Sequence, residues 1–512
     1  MSTQASIVQS GLVKLVSASS VNDTNFDGVL VISESLNTLS KYPALKDLHQ
    51  PIENYSKLHQ NFEGGQVSLI PHDAVHSKRV IYSSTGSVTG DFDDVRKFKN
   101  AGVAAAKSAL SAGIKTPLVV LPPSEHFSNA QLLSLIGVLH GFYVPLNVRE
   151  AESKKSLIKL ANAFQSAFLV CRDVGDSDPV RMAPPRVAEY IQELFKNSAV
   201  KVRIESDQEV IRKEYPLVHA VNRSSCDVEA YKARLIWLEY VNEETLRSKE
   251  DFETLMMVGK GVTLDTGGTD VKVGGAMFGM SRDKYGSAVV AGFFQALNVL
   301  RPKGIKVVAY MCMVRNSVGS NSYTCDEIIT SRSGKRIHIY NTDAEGRIAM
   351  LEPLTEMREL AMKEKNPHLM TLATLTGHCV LTYGYFSAIM DNGPAKDAHY
   401  AEQLQKSGDA YGQPVEISRL KSEDFAFHAA ECSAADLRQA NTKPSVQTLR
   451  GHMTPAAFLM SGSRLDENGL NSPHPLKYTH VDIGSSMGSY PDTTFPAPLL
   501  ALIAHHILPR VD

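Results

Sequence analysis

Apolar and polar positions follow two rhythms along the chain. Between Gly28 and about Leu121, short apolar runs (GVLVIS, QVSLI, RVIYSS, PLVVLP) are separated by segments whose apolar residues recur at helical spacing, notably DDVRKFKNAGVAAAKSALSAG. The first rhythm predicts strands and the second helices, and their alternation predicts an α/β sheet. A helix-rich stretch follows (AQLLSLIGVLHGFYV, then AESKKSLIKLANAFQSAFLV). It closes in GDSDPVRMAPPRVAEYIQELF, where Pro179, Pro184 and Pro185 disfavour continuous helix. A boundary is expected there, with an N-terminal α/β domain over 1–180, a larger C-terminal α/β domain over 181–512, and a linker and connecting helix at about 176–200.

Beyond that boundary, RLIWLEYV, TLMMVGKGVTL, IKVVAYMCMV, RIHIYN and HLMTLATLTG are apolar almost without interruption, with helical segments such as SAVVAGFFQALNVL between several of them. Continuous apolar runs suit strands covered on both faces. The expectation is a mixed or mostly parallel central sheet flanked by helices, with a site at the carboxyl ends of its strands. The acidic residues of interest fall there.

Composition narrows the class. A chain of 512 residues is too long for one core, and 43% hydrophobic with 21% charged residues describes a folded protein rather than a disordered one. The formal charge of −2 gives no basic excess of the kind that accompanies nucleic-acid binding, and only scattered lysines favour it in the first domain. Six scattered cysteines without a CxxC pair fit a reducing compartment. The start, MSTQASIVQSGLVKL, lacks a basic region followed by an apolar one, and no apolar run approaches the roughly 18 residues that span a bilayer. A cytoplasmic protein without a membrane partner is expected.

The most informative segment is RIHIYNTDAEGRIAML, in which a strand-like run leads into Asp343, Ala344, Glu345, Gly346 and Arg347. On extended backbone, residues two apart face one side, so the carboxylates of Asp343 and Glu345 could converge on a cation. Thr342-Asp343-Ala344-Glu345 also spells a capping box that would start a helix. A second cluster, LMMVGKGVTLDTGGTDVK, sets Lys260 between glycines, Asp265 before Gly267-Gly268, and Lys272 just beyond; Asp283 follows in GMSRDKYGSAVV. Singly, each reads as a solvated charge at a turn. Together, beside very apolar strands, they call for mutual pairing or a metal. No Walker loop and no HExxH occurs. Gly484-Ser485-Ser486-Met487-Gly488 matches GxSxG, but Pro491 disfavours the helix that a nucleophile elbow needs. His480 and His378 read as packing or hydrogen-bonding histidines without a partner histidine at metal-binding spacing. SSTGSVTGDFDDVRKF reads as an ordinary strand-to-helix turn.

VGKGVTLDTGG with Lys272, Asp283, NTDAEGR, TLATLTG and HVDIG resembles the cytosolic leucyl aminopeptidase family, over roughly the last three-fifths of the chain. The resemblance implies a two-metal aminopeptidase acting on peptides with a free N-terminus. Two divalent cations (zinc, manganese or magnesium) would share Asp265 and Glu345, with Asp343 on one and Lys260 and Asp283 on the other. Lys272 would stabilise the oxyanion, and Arg347 would hold a bicarbonate. By the same similarity, Met280, Thr374, Gly484 and Met487 would line the pocket for a leucine-like first side chain, although Met277 and Met280 at helical spacing also read as core. A homohexamer is typical of the family. Lys284 and Tyr285 depart from the methionine and small residue usual after the Asp283 position, DPVRMAPP lacks the usual asparagine, and Pro353 falls in the helical segment after NTDAEGR, where a first-turn proline is tolerable. These departures suggest a divergent branch, or alternatively a catalytically weak assembly or binding protein on the same fold.

Overall fold

The computed structural model describes residues 15–59, 62–73, 75–143, 159–247 and 252–511. Most of the amino-terminal MSTQASIVQSGLVKL, through Lys14, and AESKKSLI (151–158), the start of an expected helix, lie outside the described residues. The chain forms two compact units, one up to Gln165 with Gly408–Gln413, the other built from Ser166–Ser407 and Pro414–Asp512.

In the first unit all four apolar runs become strands: β1 (Gly28–Ser33), β2 (Val67–Pro71), β3 (Arg79–Ser84) and β4 (Pro117–Val120). Their order is β2-β3-β1-β4, with β1 parallel to β3 and β4, and β2 antiparallel to β3. Helices α1 (Arg96–Ser111) and α2 (Ala130–Gly141) accompany them. Period-two alternation gives β1 two cores: Val29 and Val31 pack with Leu48 and Ile52, whereas Leu30 and Ile32 pack with Ala101 and Ala105 of α1.

The second unit carries helix α3 (Pro184–Leu194), strands β5 (Val200–Glu205), β6 (Arg234–Val241) and β7 (Glu253–Asp265), helix α4 (Tyr285–Leu300) and strand β8 (Ile305–Asn316). Then come β9 (Ile328–Thr330), β10 (Arg336–His338), α5 (Glu345–Ala361), β11 (Pro367–Ala373), α6 (Gly377–Tyr383) and β12 (Ser387–Asp391). Strands β13 (Val415–Ile417) and β14 (Leu437–Arg438), helix α7 (Thr454–Gly462) and β15 (Lys477–Asp482) complete it. Pro184 and Pro185 open α3, where a first-turn proline costs no hydrogen bond. The large sheet is mixed, as expected, in the order β13-β12-β15-β11-β7-β8-β6-β5. Around its centre β7 runs parallel to β8 and β11, and β11 parallel to β15.

RIHIYN departs from expectation: only Arg336–His338 is strand, in a separate sheet of order β14-β10-β9. The amides of Tyr340 and Asn341 reach the Gln439 side chain instead of a neighbouring strand. Pro353 also differs, because it lies inside α5 rather than in a first turn, leaving the Ala349 carbonyl without its usual amide donor. Close approach of α4 to the sheet rests on glycine: a Cβ on Gly286 would fall 2.0 Å from the Leu372 carbonyl oxygen, and one on Gly259 2.8 Å from that of Gly286. Among the described residues no helix is long and apolar enough to cross a membrane.

Candidate active site

Lys260, Asp265, Lys272, Asp283, Asp343, Glu345 and Arg347 all line one cavity of about 380 Å³. β7 supplies Lys260 from its middle and Asp265 from its carboxyl end. Lys272 follows the turn at Gly267-Gly268, where both glycines have positive φ (88° and 65°). Asp283 ends a short 3-10 turn before α4, and Glu345 is the first residue of α5.

These charges interlock. Lys260 Nζ lies 2.7 Å from Asp283 Oδ1 and 2.8 Å from Glu345 Oε1, and donates to the Thr374 carbonyl at 2.9 Å. Lys272 Nζ lies 2.9 Å from Asp265 Oδ2 and 2.5 Å from Asp343 Oδ1. Gly346 makes room for the first lysine, since a Cβ there would sit 2.4 Å from Lys260 Cε. Burial pulls Lys260 down, but Asp283, Glu345 and Asp265 outweigh it and hold the ammonium above its usual value. Lys272 is raised likewise against its burial by Asp265 and Asp343. Burial, then repulsion from Asp265 and Glu345, raises Asp343 to about 7, and burial raises Asp283 well above the carboxylate range. Arg347 is lowered to about 10 by burial.

Four carboxyl groups thus crowd around two ammonium groups. Oxygens of Asp265, Asp283 and Glu345 lie within 4.8 Å of one another, and Asp283 Oδ2 is buried without a hydrogen-bond partner. Unsatisfied carboxylate oxygen at this density is what hard divalent cations bind, so the residues present fit a metal site.

Asp343 and Glu345 converge differently from the expected extended strand. The N-cap of α5 is Ala344, without a side-chain cap, so the capping-box reading of Thr342 fails. Thr342 Oγ1 instead donates to the Gly267 carbonyl at 2.7 Å and accepts from Asp270 N at 2.8 Å, joining the two motif loops. Residues that sequence reasoning missed hold this arrangement. Gln439, fully buried, accepts from Tyr340 N and Asn341 N, donates to the Asn341 and Ala344 carbonyls, and offers its own carbonyl to Arg347 Nη1 at 3.1 Å. Asn316 Nδ2 donates to Asp265 Oδ1 at 2.8 Å. Asp482 accepts from Thr376 Oγ1 at 2.6 Å and from Leu375 N, fixing the turn after β11; of these, Asp482 alone carried a signal, the HVDIG motif.

Met280, Thr374 and Gly484 are on the cavity wall, whereas Met487 is buried off it and Met277 is exposed outside it. Thr374 Oγ1 donates to Asp283 Oδ1 at 3.0 Å. His480 is a buried histidine bonded to Thr371 through Nδ1. His378 is a hydrogen-bonding histidine as expected, with its Nδ1 2.7 Å from Nδ1 of His452, a partner far along the chain. No helix follows the GxSxG segment before Leu499. Lys284 and Tyr285 point away from the cavity. Lys284 Nζ donates to the carbonyls of Ser177 (2.9 Å) and Ser281, and Tyr285 donates to Thr494 Oγ1, which bonds Asp176.

A family model described as "Cytosol aminopeptidase family, catalytic domain" matches residues 169–497. A Caenorhabditis elegans protein named "Putative aminopeptidase W07G4.4" is 54% identical over 519 residues, covering 97% of this chain and 98% of its own length. A leucyl aminopeptidase from Trypanosoma brucei in complex with actinonin superposes with a TM-score of 0.75 at 19% identity, covering 96% of this chain and 93% of that one. The bottromycin maturation enzyme BotP in complex with Mn gives 0.72 at 18% identity, covering 94% and 98%. At such identities the two structures speak to the fold, but the family model and the nematode relative speak to descent: the chain belongs to the cytosol aminopeptidase family, whose members are metal-dependent aminopeptidases.

Proposed function

We propose that this chain removes an N-terminal, apolar, leucine-like residue from peptides with a free amine, using two divalent cations held by Lys260, Asp265, Asp283, Asp343 and Glu345. The observation that carries the reading is the convergence of these five side chains with Lys272 and Arg347 in one cavity. When bound, such cations (zinc, manganese or magnesium) supply Lewis acidity and a nucleophilic water at neutral pH. Lys260 must give up its Nζ proton to act as a ligand, so cation binding releases protons and tightens as pH rises. Asp283 Oδ2, which has no hydrogen-bond partner, can accept from the substrate's free amine and so select an unblocked N-terminus. The Lys272 ammonium stands ready for charge developing on the scissile carbonyl oxygen. Arg347 keeps its buried Nε–H free for a small anion, bicarbonate by family resemblance. Met280, Thr374 and Gly484 would form an adaptable wall for the first side chain, without Met487, which is buried off the cavity.

The test is direct. Protein loaded with zinc or manganese should cleave leucinamide and a panel of unblocked peptides, elemental analysis should find two metals per chain, and Glu345→Ala should abolish hydrolysis. Bound metal without hydrolysis of any peptide would overturn the reading in favour of a non-catalytic assembly role. Cytoplasmic action fits the six unpaired cysteines, and family resemblance supports a homohexamer, which light scattering would size.

A further inference from the structure

The cavity wall carries more positive charge than the proposed chemistry uses. Of its cations, Lys260 and Lys272 are gripped by carboxylates and Arg347 donates to the Gln439 carbonyl. Lys443 is also on the wall, and among the described residues it forms no ion pair. It differs in depth too: Lys260, Asp265, Asp283 and Glu345 are buried, whereas Lys443 is exposed. The acids form the floor of the cavity and Lys443 stands at its rim.

The backbone that presents Lys443 is fixed. Its amide donates to Asn441 Oδ1 at 3.1 Å, and Thr448 Oγ1 lies 3.2 Å from that same oxygen and 3.1 Å from the Pro444 carbonyl. Ser445 Oγ accepts from Gly377 N at 3.0 Å, which ties the loop to the start of α6 beside Thr374. Val446 packs on the same turn, since a Cβ on Gly377 would fall 2.6 Å from its Cγ1. The loop is thereby anchored to α6, whose Gly377 and Val380 also line the cavity.

We infer that Lys443 pairs with the C-terminal carboxylate of a short substrate, so that this chain prefers free di- and tripeptides to longer or amidated ones. This rests on the aminopeptidase reading, which puts the substrate's amino end at the floor. A peptide so placed runs outward at roughly 3.3–3.6 Å per residue, and a short one ends within reach of a flexible lysine at the rim. A cavity of about 380 Å³ is at the small end of ligand sites, which also favours a short peptide. A carboxylate on a third residue or earlier gains the ion pair; an amide in its place does not.

The experiment compares Leu-Gly and Leu-Gly-Gly with their C-terminal amides on the metal-loaded full chain, reading the ratio of kcat/KM for acid over amide. The wild type should favour the acids about fivefold, through KM rather than kcat, with the preference shrinking as salt is raised. Lys443→Met should bring the ratio to about one, Lys443→Arg should restore it, and Lys443→Glu should reverse it. A wild-type ratio near one, or a ratio unchanged by Lys443→Met, overturns the assignment. Hydrolysis itself tests the parent reading separately: if neither leucinamide nor any unblocked peptide, acid or amide, is cleaved with metal bound, that reading fails. Calorimetric Kd values for the same acid and amide pairs then still show whether Lys443 makes the contact.

Discussion

Asp283 separates two buried lysines in opposite electrostatic surroundings. In front, Lys260 meets two carboxylates at 2.7 and 2.8 Å and stays charged. Behind, Lys284 is wholly buried and meets only carbonyl oxygens, of Ser177 and Ser281, and burial lowers it to about 7 against the pull of Asp176 and Asp178. Nearby, Asp176 is already engaged, by Arg282 at 3.2 Å and by Thr494. The two lysines are about equally buried, so depth alone does not set their charge. Full charges in contact can repay desolvation, and two carbonyl dipoles cannot. On the proposed chemistry the front would exchange its protons for metal, whereas the back is a plug of hydrogen bonds to Ser177, Ser281 and Thr494.

The largest test of this contrast is Lys260→Met. It should cost more than about a thousandfold in kcat/KM, above the 10²–10³ range of losing one transition-state donor, and it should lower both metal content and the protons released on metal uptake in a pH-stat. Gly346→Ala comes next. Its methyl would press on Lys260 Cε from 2.4 Å, so about a tenfold loss of kcat and a destabilisation of about 1–3 kcal/mol in urea melts are expected. Lys284→Met should be smallest in activity, within about threefold in kcat, because its side chain points away from the cavity. Its signature is in stability. The folded pKa of Lys284, about 7, lies below the ordinary unfolded value of about 10.4, so between them the unfolded state binds the extra proton. The wild type should therefore gain stability from this group as pH rises from about 7 to 10, and Lys284→Met should flatten that slope in urea midpoints of metal-free protein. An unchanged slope, or a collapse of kcat, would erase the distinction between front and back.

How much of this was legible follows from the range of each interaction. The strands of both units could be read from apolar runs, because burial on one or both faces writes itself into neighbouring residues. The seven charged residues could be named because their motifs are local, and they do share a cavity. Their manner of meeting could not. Asp343 and Glu345 come together at a helix start clasped by Gln439, whose partners Tyr340, Asn341 and Ala344 lie about a hundred residues away and leave no mark in local periodicity. The direction of Lys284 was hidden for the same reason: its acceptor Ser177 lies 107 residues upstream. His452 escaped notice because it pairs with His378 across 74 residues.

Lys260 is mounted on β7, which has four strands on one side of it and three on the other. Amides in such a strand exchange with solvent only when the whole unit opens, whereas those of the turn carrying Lys272, outside any strand, can exchange by local opening. Deuterium uptake should thus divide the site by clock as well as by chemistry. The strand that bears Lys260 should exchange only on global opening, and the turn that bears Lys272 far sooner.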